Sequence, residues 1–154
     1  MVSAEHVREI VAEVPDPEIP VLSIVDLGIL RDIEVEGERI VVTITPTYSG
    51  CPAMDVIRQD IGTRLREDGI EGAEVRTVLT PAWSTDWMTD AGRRKLVEYG
   101  IAPPGPVADG PAGVECPRCG STNVKELSRF GATACQSQFA CQSCLEPFDH
   151  FKEH

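Results

Sequence analysis

The sequence contains no long apolar run. Its first ten residues, MVSAEHVREI, include no continuous hydrophobic stretch of the kind that a secretory signal peptide needs. No segment approaches the roughly 20 apolar residues of a membrane-spanning helix. These absences predict a cytoplasmic protein without a membrane partner, in which cysteines are more often metal ligands or reactive thiols than disulfide partners.

The sequence also lacks a basic segment. The net charge is −11. Residues 115–154 hold four Lys or Arg against five Asp or Glu, which leaves −1 on that end and −10 on residues 1–114. Neither part offers a basic face to phosphate groups, so we expect no nucleic-acid partner.

Histidine is scarce as well. The three histidines are His6, on a predicted helix, and His150 and His154 in the tail, which we expect on the surface, with a fifth or replacement metal ligand as the alternative. With so few candidates to act as a base, a Cys–His hydrolase is disfavoured.

What the sequence does contain is a paired cysteine motif. Cys116-Pro-Arg-Cys119 and Cys141-Gln-Ser-Cys144 are separated by 21 residues. The two thiols of each pair share a tight turn, and this spacing predicts a tetrahedral site of four thiolates rather than disulfides or merely buried thiols. Zinc is the expected structural ion, although four thiolates also suit iron or a cluster.

The first hundred residues predict a small α+β (α/β) domain. Ser3 can cap a helix, and two alternating stretches around Gly37 predict a β-hairpin. A helix carrying Met54, Ile57, Ile61 and Leu65 then leads to a strand over 73–80, parallel to the second strand. A last helix begins at Thr89 or Asp90. The predicted order is αββαβα, with a mixed three-stranded sheet.

Composition predicts the domain boundaries. Residues 1–101 form the α+β domain, and residues 102–114 are rich in Pro and Gly, as in a linker. Residues 115–154 form a four-cysteine zinc ribbon with short strands near 123–127 and 138–140. A segment of about 40 residues is too small to fold by burial alone and needs a metal.

Cys51 stands apart from the paired motif. Pro52 is favoured at the first position of a helix, which predicts Cys51 at the N-cap. Free N–H groups and the helix dipole there favour a thiolate that could hold a metal or cluster or act as a nucleophile, although a small core residue is the simpler interpretation. Asp16, Glu18 and Asp26 are weaker candidates for oxygen ligands or proton acceptors near Cys51, because their turn contexts are explained by capping. Cys135 is left as a buried thiol, an extra ligand or a partner of Cys51.

Three short strings carry a resemblance to a known family. Asp16-Pro-Glu-Ile-Pro20, Asp26-Leu-Gly28 and Gly50-Cys-Pro52 resemble the iron–sulfur cluster assembly domain of SufT-like proteins. The longer strings 16–28 and 45–54 are closer to the D-subunit (PaaD) family of phenylacetyl-CoA epoxidase complexes. Residues 116–121, 130–135 and 141–152 look like that family's C-terminal zinc ribbon.

The resemblance implies an accessory role in aerobic phenylacetate catabolism, a pathway of aromatic compound degradation. The family's multicomponent oxygenase epoxidises the ring of phenylacetyl-CoA, and the D subunit is expected to assist iron or iron–sulfur delivery, with Cys51 as the transfer ligand. The sequence agrees, because it lacks the carboxylate and histidine sets of a di-iron bundle and a G-x-G-x-x-G turn. The implied partners are the other epoxidase subunits or their reductase, and iron or iron–sulfur donors, with homodimerisation left open.

Three other classes of function predict different behaviour of the protein. A non-catalytic interaction module would only dock and stabilise the oxygenase, without metal transfer. A thiol-redox enzyme would need a reversible disulfide in a CxxC pair. A DNA-binding ribbon would show salt-dependent retention on DNA, which the −1 charge of the ribbon disfavours.

Overall fold

The chain divides between Trp83 and Ser84 in the computed structural model, which describes residues 2–48, 51–109 and 113–154. The first unit is Met1–Trp83 and the second is Ser84–His154. The helices are α1 (Ala4–Val11), α2 (Ile24–Leu27), α3 (Ala53–Glu67) and α4 (Asp90–Glu98). The strands are β1 (Leu30–Glu36), β2 (Arg39–Ile44), β3 (Glu74–Thr77), β4 (Ile101–Ala102), β5 (Val124–Ser128), β6 (Gln136–Cys141) and β7 (Pro147–Phe151).

The first unit contains the mixed sheet that the sequence predicted, in the order β1-β2-β3. β1 and β2 are antiparallel, and β3 runs parallel to β2 after the α3 crossover. One face of α3 is buried, through Ala53, Met54, Ile57, Ile61 and Leu65. The helical spacing of these residues is what allowed the helix to be predicted.

Helix α1 begins as its sequence predicts. The Ser3 side chain accepts a hydrogen bond from the His6 amide at 3.1 Å, and Val7 and Val11 are buried. Helix α2 was not predicted, because four residues show no periodicity. Its signal is the capping box of Ser23 and Asp26, in which each side chain accepts from the other's backbone N–H. Gly28 ends it with φ 81°, a conformation that favours glycine.

The second unit contains a four-stranded sheet in the order β4-β7-β6-β5. β4 lies parallel to β7, and the other neighbours are antiparallel. The small core of this unit is formed by Ala102, Val114, Cys116, Phe139, Cys141 and Phe148. Two of these six residues belong to the paired cysteine motif, so the fold and the motif depend on each other.

The boundary between the units differs from the one predicted after residue 101. Helix α4, capped by Thr89, belongs to the second unit, because β4 follows it directly and pairs with β7. The predicted linker over 102–114 also differs. Ala102 and Val114 are buried in the core of the second unit, and Val107–Asp109 is a 3-10 turn, whereas residues 110–112 lie outside the described part. The proline content of residues 102–114 predicted their irregular backbone, but it did not predict that both ends of this segment are buried.

His150 is not on the surface, where the sequence had placed it. It is 3% exposed, with Nδ1 3.2 Å from the Ala102 carbonyl oxygen and Nε2 3.3 Å from Glu153 Oε2. The ring therefore joins β7 to the end of β4. Strand β7, which carries this histidine, was missed in the sequence because it begins at a proline.

No helix in the described part of the chain is long and apolar enough to cross a bilayer.

Candidate functional site

The four cysteines of the paired motif come together, as the spacing predicted. The Sγ atoms of Cys116, Cys119, Cys141 and Cys144 all lie within 4.8 Å of one another. Cys116 Sγ is 3.8 Å from Cys144 Sγ, and Cys119 Sγ is 3.5 Å from Cys141 Sγ. A tetrahedral zinc ion with bonds of about 2.3 Å needs sulfurs about 3.8 Å apart, so the residues fit such an ion.

Two similar turns hold these sulfurs in place. Gly120 and Leu145 each follow the second cysteine of their pair, and both have positive φ, 76° and 66°. Leu145 is not glycine, so this conformation costs about 1 kcal/mol, which the surrounding turn must offset. The carbonyl of Cys116 accepts from Gly120 N at 2.8 Å, and Cys141 N donates to the Glu146 carbonyl at 2.9 Å.

Backbone donors also stabilise negative charge on one of the sulfurs. The amides of Cys144 and Ser143 point at Cys141 Sγ, at 3.4 and 3.3 Å. The hydrogen bond from Cys144 and that from Ser143 outweigh burial and lower the pKa of Cys141 to about 6. Metal ligands must be thiolates, so these donors prepare Cys141 for binding. A hydrogen bond from the Glu146 backbone opposes burial and the neighbouring thiols at Cys144, but these raise the pKa of Cys144 to about 12.

Cys135 lies in the second unit, outside this cluster of sulfurs. It is buried, its Sγ is 2.9 Å from Thr133 Oγ1, and its carbonyl accepts from Lys152 N at 2.9 Å. Cys135 is not part of the four-cysteine group that could hold a metal among the described residues.

Cys51 lies where β2 connects to α3 in the first unit. Its thiol is half-buried, and its carbonyl accepts from Met54 N at 3.2 Å. The helix begins at Ala53 with Pro52 as its N-cap, one residue later than predicted. Pro52 already has helical angles, φ −67° and ψ −21°, so Cys51 directly precedes the first helical turn. Ser49 and Gly50, which precede it, lie outside the described residues.

Several segments meet at the end of the sheet that carries Cys51, which we call the Cys51 end: residues 24–29, 45–48, 51–56 and 78–83. The amide of Thr45 donates to the Ile29 carbonyl, and that of Val78 to the Ile44 carbonyl, both at 2.9 Å. Trp83 is buried and donates its indole N–H to the Leu27 carbonyl at 2.8 Å. These contacts connect α2 and the segments after β2 and β3.

Thr45 is a residue of this end that sequence reasoning missed. It is 1% exposed, and its Oγ1 is buried without a hydrogen-bond partner among the described residues. A buried hydroxyl without a partner costs about 1–3 kcal/mol and is rare in folded proteins. Nothing distinguishes this threonine in the sequence except its place at the start of the string that leads to Cys51.

The candidate carboxylates are Asp16, Glu18 and Asp26, and those of Asp26 and Asp16 accept hydrogen bonds from backbone amides nearby in the sequence. Asp26 caps α2, with Oδ2 3.0 Å from the Ser23 amide, and Asp16 Oδ2 accepts from the Ile19 amide at 3.0 Å. Both are buried, and Glu18 is partly buried. Capping therefore accounts for Asp16 and Asp26, as the simpler interpretation of the sequence proposed, and their role as ligands stays a prediction.

Burial of Asp16 predicts a pH dependence of stability. Desolvation raises its pKa from 3.8 to about 6, with Glu18 adding to the rise and the Ile19 amide opposing it. The folded state then retains a proton that the unfolded chain releases, so the contribution of Asp16 to stability is present below pH 4 and is lost as pH rises through 6. We expect the free energy of unfolding of wild type, relative to Asp16→Asn, to fall by about 2 kcal/mol between pH 4.5 and 7.

Urea unfolding of both proteins at several pH values measures this difference. Asparagine keeps the acceptor for Ile19 and removes the titration, so groups common to both proteins cancel. A difference in unfolding free energy that does not change with pH would contradict the raised pKa.

The two units match two family models. Residues 4–80 match the iron–sulfur cluster assembly protein family, and residues 102–152 match the PaaD zinc beta ribbon domain. The fold and the cysteine site thus define an iron–sulfur assembly domain joined to a zinc-ribbon domain.

Comparison over the full length is more specific. The chain is 47% identical over 146 residues to the putative 1,2-phenylacetyl-CoA epoxidase D subunit of Escherichia coli K12, covering 93% of this chain and 88% of that one. The chain belongs to the family of phenylacetyl-CoA epoxidase D subunits, as the resemblance in its sequence indicated.

Other relatives resemble part of the chain. An Fe-S protein maturation auxiliary factor from Porphyromonas gingivalis is 32% identical over 94 residues, covering 60% of this chain and 89% of that one. A domain of unknown function from Bacillus anthracis is 28% identical with a TM-score of 0.57, over 60% of this chain and 90% of that one. A conserved hypothetical protein from Thermotoga maritima is also 28% identical, with a TM-score of 0.53, over 62% and 94%.

Proposed function

We propose that this protein is a non-catalytic accessory subunit of a phenylacetyl-CoA epoxidase, and that it delivers iron or an iron–sulfur cluster through Cys51. The observation that carries the proposal is the position of that thiol. It is half-buried rather than enclosed, it directly precedes the first turn of α3, and it belongs to the unit that matches the assembly family.

The other cysteines are less suited to carrying a cargo. Four of them are close enough to share one ion, and Cys135 is buried against Thr133. An ion held by four thiolates has no open coordination position, and such a site is structural. A single sulfur leaves the remaining positions of an iron or a cluster open to ligands from a donor or a client.

Transfer through Cys51 is a ligand exchange. The bond between iron and Cys51 Sγ breaks as a bond to a ligand of the client forms, and no change of oxidation state is required.

The ribbon has a separate role in this proposal. Its ion, for which zinc is the proposed identity, folds the second unit, as the two cysteines in its small core indicate. The proposed partners are the other subunits of the epoxidase or its reductase, and proteins that supply iron or clusters; the name of the Escherichia coli relative, a subunit of that enzyme, supports the first of these. The proposed setting is the cytoplasm, where thiols stay reduced.

Anaerobic reconstitution with iron and sulfide tests the role of Cys51. We expect the wild type to develop the visible absorbance of a cluster and Cys51→Ser to develop at least about tenfold less, because serine is a poor ligand for iron in clusters. Cys135→Ser is the matched control and should behave as wild type.

Equal cluster absorbance in wild type and Cys51→Ser would refute transfer through Cys51. The protein would then be an interaction module that docks and stabilises the oxygenase without handling metal.

A further inference from the structure

Large apolar side chains are exposed on the first unit, most of them on segments that lie at the same end of the unit as the candidate transfer thiol. In the described part of the first unit these side chains are Val21, Tyr48, Val56 and Leu79, with exposed fractions of 37, 36, 44 and 61%. The last three lie on the Cys51 end: Tyr48 follows β2, Val56 is in the first turn of α3, and Leu79 follows β3. Exposed apolar residues gathered in one region of a surface mark interaction sites.

Hydrogen bonds show that these segments belong together. The amide of Cys51 donates to the Tyr48 carbonyl at 3.3 Å, and its carbonyl accepts from α3. The bond from Val78 to Ile44 places the residue before Leu79 beside the end of β2. The apolar side chains and the thiol therefore occupy the same end of the unit.

The chemistry of the proposed cargo requires another chain at this end. An iron–sulfur cluster is held by four cysteine thiolates, whereas Cys51 is a single sulfur. During transfer, the other ligands of the iron or cluster come from the donor or client protein. The face beside Cys51 must therefore be in contact with that protein.

Charge indicates what kind of chain this is. Residues 1–83 contain seven Arg, no Lys and sixteen Asp or Glu, so the unit carries −9 of the total −11. The segments of the Cys51 end contain two acids, Asp26 and Asp55, and no Lys or Arg, so this end adds to the negative field of the unit, and two copies would repel through their net charge. A chain with a basic contact surface would be attracted instead.

We infer that the Cys51 end, through Tyr48, Val56 and Leu79, is the docking face for a client protein with a basic contact surface, and not for a second copy of this chain. The inference rests on the proposed function, since the need for a partner's ligands follows from transfer through Cys51. It adds the side chains that recognise the client and the charge of the surface that they meet.

Affinity measurements with the remaining epoxidase subunits, purified as a complex that lacks the D subunit, test this face. We expect Val56→Glu and Leu79→Glu each to weaken binding at least about tenfold, because a carboxylate would be desolvated in an apolar contact. Binding of the wild type should weaken as salt rises from about 50 to about 300 mM. Leu127→Glu, an equally drastic change at a 56% exposed residue of the second unit, is the matched control and should bind as wild type.

Three binding results would each overturn the inference: absence of binding by the wild type, wild-type affinity in both Val56→Glu and Leu79→Glu, or loss of binding in Leu127→Glu alone. A result on oligomeric state would overturn it as well. A wild-type dimer that Leu79→Glu converts to monomer would overturn it in favour of self-association.

Cys51→Ser separates this inference from the proposed function. Docking through apolar side chains predicts that Cys51→Ser binds the complex with unchanged affinity even though it forms no cluster. A variant that both binds and still forms the cluster would leave the docking face standing and remove the transfer role.

Discussion

Replacing Cys141 with serine is expected to unfold the cysteine-rich part of the second unit while the first unit stays folded. Cys141 is a ligand and also part of the small core, with an exposed fraction of 1%. Structural zinc supplies about 10–16 kcal/mol of apparent binding energy at pH 7, far more than a core of this size can replace. The variant should lose one equivalent of metal together with strands β5, β6 and β7.

Amide dispersion in a two-dimensional NMR spectrum measures the effect on each unit. Signals of residues 115–154 should collapse to random-coil positions, whereas those of β1, β2 and β3 should keep their shifts. The first unit is expected to survive because relatives that consist almost wholly of this domain exist, as 90% coverage of the Bacillus anthracis chain shows. Cys135→Ser, outside the cluster, is the control and should retain both metal and dispersion.

A folded ribbon in Cys141→Ser, with its metal retained, would contradict a four-thiolate site. Treatment of the wild type with a strong chelator should reproduce the unfolding of the variant, and restoring zinc should reverse it.

Replacing Cys51 with serine is expected to reduce maturation of the epoxidase in cells strongly. If Cys51 is the transfer ligand, activity in cells that produce the other subunits should fall at least about tenfold, and the iron bound to those subunits should fall with it. The exchange needs a thiolate, and a serine hydroxyl with its much higher pKa does not replace it. Epoxidase activity and iron content of the purified complex are the measurements.

Two controls make the result specific. The amount of the D subunit bound to the complex should be unchanged, which separates a transfer defect from a docking defect. Cys135→Ser should support normal activity. Full activity with Cys51→Ser would favour the docking-only role.

Much of the fold followed from the sequence because its signals are local. Ser3, the hairpin around Gly37 and the apolar face of α3 each specify an element within a few residues. The elements that escaped prediction depend on tertiary contacts. Strand β4 has two residues and exists because it pairs with β7, and β7 begins at Pro147. The observed boundary between the units differs from the predicted one for the same reason, because β4 pairs with β7 and so belongs, with α4, to the second unit.

The candidate sites show the same division. The spacing of Cys116, Cys119, Cys141 and Cys144 was sufficient to predict their cluster, because two tight turns suffice to bring four sulfurs together. The burial of Asp16 and the buried hydroxyl of Thr45 depend on what packs around them, which no local pattern records. Cys51 was singled out by Pro52 and by the resemblance, although its helix begins one residue later than predicted.

Metal and sulfide analysis of anaerobically purified protein tests whether Cys51 holds the iron cargo while the ribbon holds its own ion. Wild type and Cys51→Ser should contain the same single equivalent of ribbon metal. We expect additional iron and sulfide in the wild type and their loss in Cys51→Ser. Equal iron and sulfide in the two proteins would contradict it.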